Sequence, residues 1–429
     1  MTQDIRHYMT LTERAIAGVF VAHGLYVHLC GNVQGPHTLT FGLRLYEPTQ
    51  KNIMKALGLS AALEAAIADS PARVTTDRGT ILVEIPSPTP VLVDGTRLKG
   101  QGYAVPLGMT SRQTVAGVDF ITNPHLLLVG PTNRGKTTAA RLIAYHLAKQ
   151  NPAYTTRFIV STFKPKDWRR FAPLSHCFAV ITDPQESASM IAYLVRVMHE
   201  RTRNDIDSPR LFVFLDDLLN LLGVADVDNE LAQLASLGRG AGIHLIIGTQ
   251  RLAEKGAAGG LVTGNIPSRL VFGTADAQDA ALFTGRGGSG AERLGRYAGD
   301  ALLITDGGSL RLAVGYVEDQ HLARLRQNDD EWRPWLKPTP EESTVPVQTA
   351  RGEGSDASSA ETPLSRTGTG QLPDQTPDAE ARAYLRRLYE STGSKNAVLR
   401  QAWGGVVNAE GKTPKTKRWL DEALTEVVT

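Results

Sequence analysis

Between residues 119 and 318, short apolar runs alternate with stretches of helical periodicity. The runs are Leu126–Val129, Phe158–Val160, Phe178–Ile181, Leu211–Leu215, Ile243–Ile247, Arg269–Phe272 and Ala301–Ile304. A strand with one wet face alternates apolar and polar residues. These runs do not, so both of their faces are covered. The pattern predicts an α/β unit with a mostly parallel sheet between helices, and ligands at the carboxyl ends of the strands.

Upstream, residues 1–118 read as a separate α+β unit. Thr10–Ala22 is helix-like, with Thr10 or Thr12 as a cap. Strand-like runs Leu25–Leu29 and Thr38–Leu45 are split by the turn-rich Gly31–Pro36. Thr49–Ala68 predicts one helix, and Ile81–Ile85 a strand closed by the proline-rich Pro86–Pro90.

Residues 337–378 hold six prolines and no aromatic residue. That composition buries too little surface to offset chain entropy, which predicts a disordered linker between the 119–336 unit and the tail. Residues 379–429 regain helical patterning in Ala379–Tyr389, Lys395–Trp403 and Pro414–Val428. Nine Lys/Arg against six Asp/Glu make this tail locally basic, with Lys412, Lys415, Lys417 and Arg418 at the start of its last helix. It reads either as a helix-turn-helix-like DNA-binding module or as a helical bundle for protein contact.

The whole-chain net charge of +2 over 429 residues carries no global nucleic-acid signature, so any DNA contact rests on local patches. Two cysteines, Cys30 and Cys177, predict a reduced, intracellular protein with both thiols as core filler. The polar first ten residues do not form a secretory signal. Ala15–Cys30 is too short and polar for a membrane span, so a cytoplasmic protein without one is expected.

The chemistry starts after Leu126–Val129, at Gly130-Pro131-Thr132-Asn133-Arg134-Gly135-Lys136-Thr137. This is the phosphate-binding pattern G-x-x-x-x-G-K-[ST], the Walker A element, followed by a helical stretch from Thr138. Strand, glycine-bounded loop and helix N-terminus together turn backbone N–H groups and the helix dipole toward phosphates. Lys136 neutralises the β/γ-phosphates in such a loop, and the Thr137 hydroxyl is a Mg²⁺ ligand. A second element, Leu211–Leu215 followed by Asp216-Asp217, ends an apolar strand in carboxylates. Asp216 is placed beside the phosphate loop to hold Mg²⁺ through water. Asp217 either orients or deprotonates the attacking water, or caps a helix from Leu218. Many motors carry Glu there, one methylene longer. Gln250 ends the Ile243 strand and could reach a γ-phosphate. Arg239, in a glycine-flanked turn, either crosses a subunit boundary to stabilise transition-state charge or is a solvated turn residue. His244 reads as a satisfied core histidine.

These segments, with Leu237-Gly238-Arg239-Gly240-Ala241-Gly242-Ile243-His244-Leu245, Asn265-Ile266-Pro267-Ser268-Arg269 and Gly290-Ala291-Glu292, closely resemble the FtsK/SpoIIIE DNA translocases over roughly residues 10–318. The first unit resembles that family's α subdomain. The resemblance implies a RecA-like motor that closes into a hexameric homo-oligomer around double-stranded DNA and moves along it using ATP. It implies ATP contacts from Gly130 to Thr138, catalytic or metal roles at Asp216 and Asp217, a sensing role for Gln250, and a role for Arg239 at the neighbouring subunit's nucleotide. Thr263 and Ala275–Ala281 stand where the family has basic or differently patterned residues. Arg251, Lys255 and Arg286 are substitute DNA contacts, with Lys415, Lys417 and Arg418 in the tail. The membrane segments of the cell-division members are not seen, which fits plasmid, phage or conjugative-element biology. The sequence reading is therefore a DNA-stimulated motor ATPase. Its rivals are a coupling or packaging ATPase that hands DNA to a recombination, packaging or transfer partner, and a nucleotide-switched DNA-binding protein with little turnover.

Overall fold

The computed structural model describes residues 3–325, apart from 69, 219–220, 222–223, 225, 251–263, 296 and 307. The expected linker and tail, and Arg251, Lys255, Lys415, Lys417 and Arg418, lie outside the described residues. No helix among the described residues is long and apolar enough to cross a membrane.

The chain begins with helix α1 (Gln3–Ala22), strands β1 (Val27–Gln34) and β2 (Thr38–Leu45), helices α2 (Gln50–Leu57) and α3 (Ser60–Ala66), and strands β3 (Arg73–Asp77) and β4 (Thr80–Pro86). The strands form an antiparallel sheet in the order β1-β2-β4-β3. Ile16 and Phe20 of α1 and Leu63 of α3 close over Leu39, Phe41, Ile81, Val83 and Ile85 of the sheet. The single helix expected over Thr49–Ala68 is two. Thr49 caps the first, its hydroxyl accepting from the Asn52 amide at 3.2 Å, and Gly58 ends it. Strand β1 runs through the expected Gly31–Pro36 turn as far as Gln34 and is an exposed edge. Cys30 is therefore exposed, contrary to its expected place in the core, whereas Cys177 is buried.

The second sheet has ten strands. Their ranges are β5 (Ala104–Thr110), β6 (Val115–Asp119), β7 (Leu126–Val129), β8 (Thr156–Thr162), β9 (Cys177–Ile181), β10 (Arg210–Asp216), β11 (Ile243–Thr249), β12 (Arg269–Val271), β13 (Asp300–Thr305) and β14 (Gly308–Val314). Their order is β6-β5-β14-β13-β12-β7-β11-β10-β8-β9. From β12 to β9 every pairing is parallel. From β12 to β6 every pairing is antiparallel. The parallel part follows the doubly apolar runs: all residues of β7 and β11 are buried. Full burial of a Leu, Ile or Val side chain contributes roughly 1.5–3 kcal/mol, so these central strands anchor the sheet. The run Ala301–Ile304 is also buried, but it lies in antiparallel β13.

Helix α4 (Lys136–Gln150) follows β7, and α5 (Pro165–Trp168) follows β8. Helices α6 (Pro184–Asn204), α7 (Val227–Leu237), α8 (Ala277–Thr284) and α9 (Asp319–Leu322) complete the described elements used below. Strand β5 precedes the boundary expected at residue 118–119 and β6 runs across it, yet both belong to the ten-stranded sheet.

Candidate nucleotide site

The loop from Gly130 to Gly135 takes the chain from the buried end of β7 into α4, and its backbone needs glycine. Gly130 has φ +148°, and a Cβ there would stand 2.9 Å from the Phe272 Cβ. Gly135 has φ +114°, and Asn133 enters the left-handed region at φ +60°. Such turns aim successive N–H groups at one point, a concavity suited to phosphate. Arg134 braces the loop from outside: its guanidinium donates to the Gly295 carbonyl at 3.1 Å, and its own carbonyl accepts from the Gly299 amide at 2.9 Å.

The Lys136 ammonium lies across the loop mouth and donates to the carbonyls of Gly130 at 2.8 Å and Pro131 at 2.9 Å. Burial, with the nearby Lys164 charge, pushes Lys136 down to about 8, while Asp216 and Asp217 work in the opposite direction. An arriving phosphate would replace the two carbonyls and favour the charged form.

Because β10 lies beyond β11, the carboxyl end of β10 emerges next to the loop. The Thr137 hydroxyl faces both Asp216 oxygens, at 3.0 and 3.2 Å. Hydroxyl and carboxylate oxygens in contact fit Mg²⁺, which keeps most of its waters and takes few protein ligands. Among the described residues no cluster of three or more His, Cys, Asp or Glu side chains offers an alternative metal cage.

Asp217 adopts φ +90°, a conformation an aspartate holds only when its surroundings impose it. Its Oδ2 accepts from the Gln250 amide at 3.3 Å, and Gln250 Oε1 accepts from the Thr132 hydroxyl at 2.8 Å. Gln250 thus links the phosphate loop to the second carboxylate. The other Asp217 oxygen, Oδ1, is buried and has no hydrogen-bond partner among the described residues. A buried acceptor left unpaired calls for a donor, and a water in the cavity would supply one.

Thr132, Asn133, Gly135, Lys136, Thr137, Thr138, Asp216, Asp217 and Gln250 all line one cavity of about 450 Å³. Five further lining or bracing residues were not foreseen: Ala298, which lines the cavity, and the cluster Thr162, Lys164, Asp167 and Trp168. Lys164 and Asp167 line the cavity, and Thr162 and Trp168 donate to Asp216 at 3.4 and 3.2 Å. The one sequence signal for this cluster is that β8 ends just before this segment, and adjacent parallel strands bring their carboxyl ends together.

Arg239 is not in this cavity. It is exposed in the turn before β11, whereas Gln250 follows that strand. A seven-residue strand separates them by about 20 Å. Gly242 in the same turn has φ +66°, and a Cβ there would meet the Asp207 carbonyl oxygen at 2.0 Å. Arg286 lies at that same end of the sheet, exposed, with its guanidinium donating to the Thr305 carbonyl at 3.2 Å.

The Asn265–Arg269 segment has structural tasks. Ile266 is fully buried, the Ser268 hydroxyl donates to Asn123 Oδ1 at 2.8 Å, and Arg269 donates to the last carbonyls of α8. Within Ala275–Ala281, Asp276 caps α8, its carboxylate accepting from the Asp279 amide at 2.8 Å. His244 is the buried core histidine the sequence suggests. Its Nδ1 lies 3.0 Å from the Pro124 carbonyl, and burial holds its pKa down to about 4.

Residues 96–211 match the FtsK/SpoIIIE family model. The chain is 25% identical over 353 residues to DNA translocase FtsK of Tropheryma whipplei (strain TW08/27), covering 72% of this chain and 47% of that protein. It is 28% identical over 312 residues to DNA translocase FtsK of Chlamydia muridarum (strain MoPn / Nigg), covering 63% of this chain and 38% of that protein. The chain thus spans less than half the length of these relatives. Among solved structures, the monomer form of the pCW3 conjugation coupling protein TcpA with ATPγS aligns with a TM-score of 0.48 at 19% identity, covering 72% of this chain and 96% of that one. The resemblance read from the motifs thus has a family match that contains the phosphate loop and reaches into β10.

Proposed function

We propose that this FtsK/SpoIIIE-type chain is an ATP-dependent double-stranded DNA translocase that works as a ring, hexameric by family resemblance, and hydrolyses ATP between subunits. The observation that carries the chemistry is the convergence of Lys136, Thr137, Asp216, Asp217 and Gln250 on one cavity beside a phosphate-shaped loop.

In this reading the loop amides and Lys136 hold the phosphates, and Thr138 extends the cradle. Thr137 and Asp216 hold Mg²⁺, which when bound neutralises charge on the phosphate oxygens. The unpaired Asp217 Oδ1 accepts a hydrogen bond from the attacking water and orients it toward the terminal phosphorus. Gln250 senses the terminal phosphate, because its amide already spans Thr132 and Asp217. Arg239 serves the neighbour's nucleotide: it is exposed and one strand length from its own cavity. The naming of both quoted relatives as DNA translocases supports DNA as the track. Arg286, Arg251 and Lys255 are proposed contacts with the DNA backbone, and Lys415, Lys417 and Arg418 contacts made by the tail.

Steady-state ATP hydrolysis with and without long duplex DNA, joined to triplex displacement, tests the proposal. DNA should stimulate turnover and the triplex should be displaced, and Lys136→Ala should abolish both. An unstimulated ATPase that displaces no triplex would overturn the motor reading in favour of a nucleotide switch.

A further inference from the structure

The nucleotide site has a third structural element, the corner that follows β8. Residues Thr162 and Asp216 are register partners at the carboxyl ends of adjacent parallel strands. From there the chain turns through Lys164-Pro165 into the short helix α5, and its last residue, Trp168, is 0% exposed. Phe214 and Asp216 share one face of β10, being two residues apart on a strand. Trp168 covers both. Its ring packs on Phe214 and Phe171, with centroids 5.3 and 5.1 Å apart, and its Nε1–H donates to Asp216 Oδ2 at 3.2 Å.

An indole N–H can only donate, and in a core it must find an acceptor. Here the acceptor is a carboxylate oxygen that the Thr162 hydroxyl also approaches, at 3.4 Å. We propose that Trp168 is a positioning residue for Asp216: the core-locked indole fixes Oδ2, and so holds the carboxylate with both oxygens within reach of the Thr137 hydroxyl and with Oδ1 left clear of the indole for an incoming cation. The proposal rests on reading the cavity as a Mg²⁺–nucleotide site. A rigid aromatic donor suits the task, because it cannot swing away when the cavity fills or empties. The contact also makes this tryptophan a direct optical reporter of a cation arriving at Asp216.

The test uses the full chain with Trp332, Trp335, Trp403 and Trp419 replaced by Phe, which leaves Trp168 as the single indole. Its emission should change when Mg²⁺ is added with ATPγS, and the change should vanish in Asp216→Asn, which keeps the side-chain shape. In parallel, Trp168→Phe keeps the ring packing and removes the donor. It should raise the Mg²⁺ concentration for half-maximal binding of a fluorescent ATP analogue about tenfold, while binding of the same analogue in EDTA stays at its original strength. A merely structural tryptophan would lower the melting temperature without moving the Mg²⁺ requirement. An unchanged Mg²⁺ requirement in Trp168→Phe, or the same emission response in Asp216→Asn, overturns the proposal. Failure of the underlying reading looks different: the unsubstituted chain then binds no nucleotide at all.

Discussion

Arg311 grips Asp300 through two hydrogen bonds, Nε to Oδ1 at 3.0 Å and Nη2 to Oδ2 at 2.7 Å, and each side chain is 1% exposed. The pair sits in a longer chain of polar contacts. On one side Asp300 Oδ2 accepts from the Gly295 amide at 2.7 Å, and the Gly295 carbonyl accepts from Arg134 in the phosphate loop. On the other, Arg311 reaches Glu84 of β4 at 3.6 Å, and Glu84 pairs with Arg73 of β3 at 2.6 Å. Burial alone would raise the Glu84 pKa, but Arg73 and Arg311 overcome it and hold the carboxyl below its ordinary range.

Removing one member of this network leaves a charge buried and unpaired. Arg311→Met should therefore lower unfolding stability by about 3–5 kcal/mol. Adding Asp300→Leu should recover much of that loss, because the stranded carboxylate is then gone. Urea midpoints of the single and double variants check both statements; equal midpoints would remove the network from the stability account.

Lys136 titrates near pH 8 in the nucleotide-free protein, since burial and then Lys164 oppose its charge. Below that pH the ammonium is present and can neutralise phosphate; above it the free protein must take up a proton to bind. Nucleotide affinity should therefore weaken progressively as pH rises from about 8 toward 10. Calorimetric titrations in buffers of different ionisation heat should reveal proton uptake on binding near pH 9. An affinity flat across that window contradicts the assignment.

His125 and His244 are buried, which holds their pKa values down to about 3 and about 4; the second imidazole adds to the lowering at His125. Their folded values lie below the unfolded one, so between the two the unfolded chain binds more protons. Stability is fully present above about pH 6.5 and is lost as pH falls toward 4 and then 3. Acid unfolding followed by circular dichroism should start in that range, and His244→Asn should shift its midpoint to lower pH if the fold accepts the substitution.

Arg239→Ala should leave ATP affinity intact while cutting turnover by roughly 10³-fold, the usual scale for an arginine supplied in trans. Mixing it with Lys136→Ala should restore part of the activity. In such rings a competent loop from one protomer can face Arg239 of its neighbour. Mixtures no more active than either variant alone would argue that Arg239 acts elsewhere.

The parallel half of the large sheet was legible because burial on both faces writes an unbroken apolar run, as in β7 and β11. Periodicity carries no direction, so the apolar run of β13 looks like those of the parallel strands although it runs against β12. Strand β5 was hidden for a different reason. It contains Pro106 and Gly108, and its pairing with β6 is irregular between them, so its composition reads as turn. Gly108 is required there, as a Cβ would stand 2.1 Å from the Ala313 carbonyl oxygen.

At the site, the residues that lie in sequence motifs were legible, and the structure brings Lys136, Thr137, Asp216, Asp217 and Gln250 together. Trp168 was not, since it meets Asp216 across 48 residues and no local pattern announces that contact. Arg239 was legible as a glycine-flanked arginine, but its place at the far end of β11 depends on strand direction.

Strands β5 and β6 enter the ten-stranded sheet before the phosphate loop has been made, and β5 covers the edge of β14. A fragment cut at the apparent boundary of residue 119 would therefore start inside the motor. It would present β14 as a bare row of amides and carbonyls, ready to pair with another chain and aggregate. The first sheet and the motor are better separated upstream of β5, and a protease that cleaves within the 88–92 stretch would leave the ten-stranded sheet whole.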